Sequence, residues 1–464
     1  MEERILYRWS QWTAHRSLGS MVLERFQHPA QVVVTGFAVV ITAGTLLLSL
    51  PQATTGKASA SFVEALFTAT SAVCVTGLVT VDPGTYWSTF GQIVLLMLVQ
   101  VGGLGLMTLA TLFAVLLTRR LGLRARMAAQ AETKTLRIVD VRRVVRNVVL
   151  FTVVSEVLIA AVLTVRFTAA HGESPGRALY LGAFHSISAF NNAGFALWPD
   201  GMVRFATDPW ITLTLCAAVI VGGLGFPVVF DLARNWRCPG AWTVLTRVTL
   251  GMTGLLLAGG WIVLTATEWR NPATLGGLPD PARLTAGFFL SVMPRSGGFN
   301  NVDITQMRPE SLLVTDILMF IGGGSAGTAG GIKVTTFGLL GFVLWAEMRG
   351  EPRVNVGHRR LPEGTQRQAM SIVLLGIALV TAGTFLLLMM THHSLDLVLF
   401  EVVSAFGTVG LSAGITAELP PAGHLLLTAL MFLGRIGPLT FATALALRER
   451  TSRFELPEER PIVG

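Results

Sequence analysis

Apolar residues in this chain gather into long runs separated by shorter polar segments. Eight stretches qualify as spans, at roughly 31–50, 88–118, 147–166, 209–232, 248–266, 312–345, 370–391 and 424–447. Each offers the about 20 mostly apolar residues that a bilayer-crossing helix needs, so the pattern predicts eight membrane-spanning helices. The run at 31–50 is longer than the roughly 7–15 apolar residues of a signal-peptide core, and it reads as a retained span. The polar segments differ in kind. Segments 1–30, 119–146, 233–247, 349–367 and 448–464 hold 25 of the 35 Lys and Arg residues, and they alternate with segments poor in both. The positive-inside rule therefore puts both termini and these linkers on the cytoplasmic side.

The spans pair up, and each pair encloses a shorter semi-apolar stretch. These read Leu66-Phe-Thr-Ala-Thr-Ser-Ala-Val-Cys-Val-Thr-Gly-Leu78 and Ala183-Phe-His-Ser-Ile-Ser-Ala-Phe-Asn-Asn-Ala-Gly-Phe195, then Gly287-Phe-Phe-Leu-Ser-Val-Met-Pro-Arg-Ser-Gly-Gly-Phe299 and Leu399-Phe-Glu-Val-Val-Ser-Ala-Phe-Gly-Thr-Val-Gly-Leu411. Aligned on Gly77, Gly194, Gly298 and Gly410, all four have Phe ten residues earlier and Leu or Phe one residue later. Three have Ser six residues earlier (Ser71, Ser188, Ser404); the third copy has Val292 there, with Ser291 beside it. Glycine clusters follow at 102–105, 222–225, 322–324 and 434–437. So many registered positions mark a fourfold internal repeat.

Each unit reads as an outer helix, a re-entrant pore helix, an extended turn and an inner helix. The pore-helix stretches are too short to span. Non-helical backbone at membrane depth must be buried in protein or line a watery path. The expected fold is an all-α polytopic membrane protein with four pseudo-symmetric repeats around one central pore. Its parts are a cytoplasmic N-terminal segment at 1–30, repeat 1 at 31–118, a linker at 119–146, repeat 2 at 147–232 and a linker at 233–247. Repeat 3 follows at 248–345, then a linker at 346–369, repeat 4 at 370–447 and a C-terminal tail at 448–464.

Composition narrows the function. The chain is 52% hydrophobic and 13% charged, about half the charge of a soluble domain, with a mean hydropathy of +0.62. That excludes a soluble enzyme, a disordered chain and a disulfide scaffold. Cys74, Cys216 and Cys238 are too few and too scattered for a zinc site. The net charge of +8 could suggest nucleic acid, but in so apolar a chain it reports cytoplasmic loops. The spans hold no catalytic cluster of His, Asp and Glu, so a membrane enzyme ranks last.

An extended turn leaves its carbonyls unpaired, and four such turns around an axis can replace the water shell of a cation. Glycine suits a turn that needs positive φ or close approach, and the C-terminal ends of the pore helices favour a cation between them. The candidate filter is Val75, Thr76 and Gly77, with Asn192, Ala193 and Gly194, Ser296, Gly297 and Gly298, and Thr408, Val409 and Gly410. Asp82, Asp200, Asp303 and Glu418 follow the filter glycines and would form an acidic collar at the outer mouth.

These residues resemble the bacterial Trk/Ktr/HKT superfamily of K⁺ transporters, and the Ktr membrane subunit most closely. The resemblance rests on Thr70-Ser-Ala-Val-Cys-Val-Thr-Gly-Leu78, Phe190-Asn-Asn-Ala-Gly-Phe195, Arg295-Ser-Gly-Gly-Phe-Asn300, Gly407-Thr-Val-Gly-Leu411 and the Gly-rich run after Ile321. One departure is Ser296-Gly297, where the family often has Thr-Ala. The resemblance implies K⁺ at the filter carbonyls and no cofactor in this chain, and it leaves open whether Na⁺ assists. It implies a homodimer with one pore per protomer in the bacterial cytoplasmic membrane. It also implies a cytoplasmic ring of RCK/KTN-type regulatory subunits that carry the nucleotide. Linkers 119–146 and 349–367 are candidate docking surfaces. Membrane lipid is the other expected partner.

The third inner helix is odd. Gly322, Gly323, Gly324, Ser325, Ala326, Gly327, Thr328, Ala329, Gly330 and Gly331 sit in its middle. Six glycines in ten residues, at about 1 kcal/mol each relative to Ala, will not hold a helix. The resemblance implies an intramembrane loop that obstructs the pore and moves aside on opening. Gly322, Gly324 and Gly327 also fit a dinucleotide fingerprint, but that needs a strand before it, and here an apolar span is interrupted. Arg435 is a charge deep in the last inner helix. It should face a cavity and a partner, and by resemblance it projects into the pore below the filter as an electrostatic barrier touching the loop; a buried structural pair with a carboxylate is the plainer reading. Lys333 is expected to reach cytoplasmic water. Glu401 and His185 should bond nearby backbone, Glu64 suits a helix start, and Glu156 suggests an interhelical pair.

The expected function is a channel-like K⁺ uptake subunit. The rival is an alternating-access transporter, which would show paired breaks in two halves. The sequence suggests one strongly broken inner helix.

Overall fold

The computed structural model describes residues 29–56, 59–120, 138–356 and 359–437. The N-terminal segment, most of linker 119–146, the end of the last span and the C-terminal tail lie outside the described residues.

Each repeat begins on a long helix. Repeat 1 comprises α1 (Pro29–Leu48), α2 (Phe62–Val73) and α3 (Thr89–Arg120). Repeat 2 comprises α4 (Ile138–His171), α5 (Pro175–Phe190), α6 (Pro209–Leu224) and α7 (Phe226–Asn235). Repeat 3 comprises α8 (Val244–Glu268), α9 (Asp280–Val292), α10 (Pro309–Phe320) and α11 (Val334–Met348). Repeat 4 comprises α12 (Glu363–Met390), α13 (Leu395–Gly407) and α14 (Pro421–Ile436). A two-stranded hairpin, Asn355–Val356 against Arg359–Arg360, lies in the linker before repeat 4.

The outer helices α1, α4, α8 and α12 are long and apolar enough to cross a membrane unbroken. They present Leu46, Leu158, Ile262 and Met389 on exposed faces, as surfaces solvated by lipid should. The short helices α2, α5, α9 and α13 are the interior. Phe67, Phe184 and Phe400 are fully buried. In repeat 3 the registered Phe288 is only half-buried and its neighbour Phe289 takes the core position. Local chemistry starts these helices where they start. Ser61 and Glu64 form a reciprocal capping box on α2, which satisfies two orphan N–H groups. Pro175, Pro309 and Pro421 open α5, α10 and α14, where a missing N–H costs nothing.

The inner helices carry the interruptions. The third is split into α10 and α11 by the glycine-rich run, as its composition predicts. The second is also broken, against the expectation of one continuous span at 209–232: α6 and α7 meet at 98°. Gly225 turns the chain with φ +91°, and Pro227 lies one residue inside α7 and has no N–H to continue α6. The reading of a single strongly broken inner helix is therefore corrected: among the described residues two are broken. In the fourth, α14 stops at Gly437, whose φ of +90° repeats that of Gly225.

Close packing brings these layers together at the registered glycines. A Cβ on Gly102, Gly222 or Gly434 would strike the carbonyl of Val73, Phe190 or Phe406. Each of those carbonyls lies four residues before its own filter glycine. The inner helices thus press their backbone onto the ends of the pore helices, and only glycine allows that approach.

Candidate functional site

The four turns after the pore helices share one backbone conformation. Val75, Asn192, Ser296 and Thr408 have φ of +56°, +60°, +66° and +48°. Two residues on, Gly77, Gly194, Gly298 and Gly410 are also left-handed; the residues between them are not. Left-handed φ is costly for side chains larger than glycine, so four registered copies show backbone shape held by its surroundings. Alternating φ turns successive carbonyls toward one side instead of opposite sides.

The turns close into a ring. A Cβ on Gly77 would strike the Ala193 carbonyl, and one on Gly194 would lie 2.7 Å from Gly298 Cα. One on Gly298 would lie 2.5 Å from the Val409 carbonyl, and one on Gly410 would strike the Thr76 carbonyl. Each repeat abuts the next, and the fourth meets the first.

The pore helices tether the ring. Ser71 Oγ accepts the Gly77 N–H at 3.0 Å and donates to the Leu78 carbonyl at 2.8 Å. Ser188 donates to the Phe195 carbonyl at 2.8 Å, and Ser404 accepts the Gly410 N–H at 3.1 Å. Repeat 3 lacks that serine. There Ser291 bonds the outer helix through the Leu257 carbonyl, and the Met293 carbonyl takes the N–H groups of Gly297 and Gly298. A second tether sits nine residues before the glycine. His185 Nε2 accepts the Leu197 N–H at 3.3 Å while Nδ1 donates to the Leu181 carbonyl at 2.7 Å. Glu401 accepts the Ala413 N–H at 3.0 Å, the Thr416 hydroxyl at 2.8 Å and the Ser412 hydroxyl. Both side chains reach the third residue past their glycine. Glu401→Ala removes the acceptor of three donors and leaves the buried Ala413 N–H unpaired, while Thr416 keeps Ser412 Oγ, so it is expected to cost about 1–3 kcal/mol. The check is thermal unfolding of the solubilised protein, where an unchanged midpoint would show that Glu401 does not hold the turn.

One face of the ring opens into a cavity of about 300 Å³ lined by all four glycines, with Asp82 and Asp303 in its wall. The other two acids of the expected collar are engaged elsewhere. Asp200 pairs with Arg204 at 2.6 Å, and Glu418 faces His393 at 3.7 Å. Burial pushes the Asp200 carboxyl up, but the Arg204 bonds more than offset this and hold it below the ordinary carboxylate range. The acidic lining is therefore two residues deep in charge rather than four.

The opposite face meets residues 322–331. Thr328 Oγ1 donates to Asn192 Oδ1 at 2.7 Å, and the Gly330 N–H donates to Ser296 Oγ at 3.1 Å. A Cβ on Gly330 would strike the Thr408 hydroxyl. The loop thus rests on the left-handed residues of three turns. Arg435, buried, donates to the Thr328 carbonyl and, at 3.1 Å, to the Gly102 carbonyl. Among the described residues it has no carboxylate partner, which removes the plainer reading of a buried ion pair. Lys333 is half-buried, and its Nζ donates to the Ala329 carbonyl at 2.5 Å, so one of its donors is held by the loop. Sequence reasoning gave no role to Arg295. Its guanidinium, also buried, donates to the Gly322 and Thr253 carbonyls at 3.3 Å. Its depth beside an apolar run was the available signal. Glu156 accepts from Gln100 and Asn191, bridging α3, α4 and the end of α5.

The arrangement can strip water from a cation at backbone carbonyls between an acid-lined mouth and the glycine-rich loop with the buried Arg435 beside it. Comparison with known proteins points the same way. The chain is 40% identical over 438 residues to the Ktr system potassium uptake protein B of Bacillus subtilis, covering 94% of this chain and 97% of that protein. It is 39% identical over 435 residues to the protein of the same name from Vibrio alginolyticus, covering 94% of both. The crystal structure of the potassium transporter TrkH from Vibrio parahaemolyticus matches with a TM-score of 0.71 at 15% identity, over 91% of this chain and 86% of that one, which shows a shared fold. The TrkH family, described as cation transport protein, matches residues 9–455, and this chain belongs to it.

Proposed function

We propose that this chain is the ion-conducting membrane subunit of a Ktr/Trk-type K⁺ uptake system. The observation that carries the reading is the closed ring of four left-handed glycines, each set against the backbone of the next repeat. The carbonyls of Thr76, Ala193, Gly297 and Val409 replace the water of a K⁺ ion there. Asp82 and Asp303 raise its concentration at the mouth. An inside-negative potential contributes about 2.3 kcal/mol per charge per 100 mV, so inward flow needs no chemistry in this chain.

Residues 322–331 are the gate, and Arg435 adds a fixed positive charge under it. The relatives are named as proteins of a Ktr system, which supports a regulatory partner; that this partner binds nucleotide on the cytoplasmic side, and that the chain is a homodimer in the bacterial inner membrane, belong to the same proposal, and the basic linkers support cytoplasmic termini. The second helix break weakens one argument against an alternating-access transporter. The ring still favours a channel-like path, because it joins all four repeats on one axis instead of two halves across a cleft.

The test is rescue of growth at low K⁺, with Rb⁺ uptake, in a bacterium lacking its own K⁺ uptake systems and supplied with a matching regulatory subunit. Rescue with saturable Rb⁺ uptake is expected. Membrane-inserted protein that moves no K⁺ or Rb⁺ would sink the cation reading.

A further inference from the structure

The break in the second inner helix and the loop of the third satisfy each other. In a continuing helix the Gly222 and Gly223 carbonyls would accept the N–H groups of residues 226 and 227. Residue 227 is proline and has none, and the 98° turn at Gly225 carries Phe226 away. Both carbonyls go to the loop instead. Gly223 accepts the Gly324 N–H at 2.8 Å, and Gly222 accepts the Thr328 N–H at 3.2 Å. The fit is close: a Cβ on Gly323 would lie 2.7 Å from the Gly223 carbonyl, and one on Gly324 would strike the Leu224 carbonyl. The same Thr328 then reaches Asn192 through its hydroxyl and Arg435 through its carbonyl. The loop's main grip outside its own repeat is therefore the open end of α6.

We infer that Pro227 is a positioning residue for the gate, leaving the end of α6 as a hydrogen-bonding receptor in which the loop of repeat 3 is seated when closed. This rests on the reading that residues 322–331 obstruct conduction. Pro227→Ala restores an N–H that competes with Gly324 for the Gly223 carbonyl. Loss of one net hydrogen bond shifts an equilibrium by roughly fivefold, toward the unseated loop.

The experiment measures Rb⁺ uptake by the full chain without its regulatory partner, for the wild type, Pro227→Ala, a deletion of residues 325–329 and the combination. Pro227→Ala is expected to raise uptake about fivefold with an unchanged Rb⁺/Na⁺ preference, and to add nothing to the deletion, since coupled sites are non-additive. Wild-type uptake in Pro227→Ala, or an equal rise in both backgrounds, would overturn the receptor role. If the deletion itself raises nothing, the gate reading has failed, and amide exchange decides the seating alone. The Gly324 and Thr328 amides should then exchange slowly in the wild type and faster in Pro227→Ala; no difference overturns the proposal. Should Pro227→Ala fail to accumulate, Thr328→Pro removes the loop N–H that Gly222 accepts, together with the hydroxyl bond to Asn192; uptake is expected to rise at least about fivefold, and wild-type uptake would overturn the receptor role.

Discussion

Gly298→Ala is expected to lower K⁺ uptake by tenfold or more and to blunt the preference for K⁺ over Na⁺. Two costs combine. Gly298 has φ +73°, a conformation that costs an L-residue about 1–2 kcal/mol. Its new Cβ would lie 2.5 Å from the Val409 carbonyl oxygen and 2.8 Å from Gly194 Cα, so the backbone of two neighbouring turns has to move. Each 1.4 kcal/mol is about tenfold, and a displaced carbonyl no longer matches the water it replaces. Gly251→Ala is the matched control, because a Cβ there meets nothing within 4 Å and α8 should, if anything, firm up. Initial Rb⁺ uptake with Na⁺ competition is the measurement. Wild-type rate and preference in Gly298→Ala would mean the ring is not where the ion is chosen.

Deleting residues 325–329 is expected to raise uptake at least tenfold in the absence of the regulatory partner. The segment holds Thr328, whose hydroxyl, N–H and carbonyl bond Asn192, Gly222 and Arg435. Losing these frees the underside of the ring and leaves the Arg435 guanidinium without its Thr328 partner. A fixed positive charge beside the path opposes a passing cation by Coulomb repulsion. Arg435→Gln keeps a donor for Thr328 and drops only the charge, so it should recover part of the rise. Uptake in the deletion no faster than wild type would remove the loop from the conduction path.

The outer helices and the four turns were legible in the sequence because both are written locally. Apolar length marks α1, α4, α8 and α12, and one repeated half-motif brings Gly77, Gly194, Gly298 and Gly410 into register. The α6–α7 break was not read, although Gly225-Phe-Pro227 stood in plain view. Hydropathy scores side chains and is blind to a missing N–H, so the run passed for one span. The acidic collar is legible only in part. Spacing shows that Asp200 and Glu418 follow their turns, but not that Arg204 and His393 reach them first. Arg295 escaped because its partner carbonyl at Gly322 is 27 residues away and has no sequence signature.

Ring closure also has a consequence for biosynthesis. The last contact joins Thr76 to Gly410, and the Arg435 bond to Gly102 spans 333 residues. At about 5–20 residues per second, the ribosome needs on the order of tens of seconds to supply the fourth quadrant after the first has entered the bilayer. A nascent chain paused at three quadrants has no complete dehydration site. The residues that finish the ring and Arg435, its guard under the proposed function, leave the ribosome within one short stretch, so on that reading the pore acquires its conductance and its lock together.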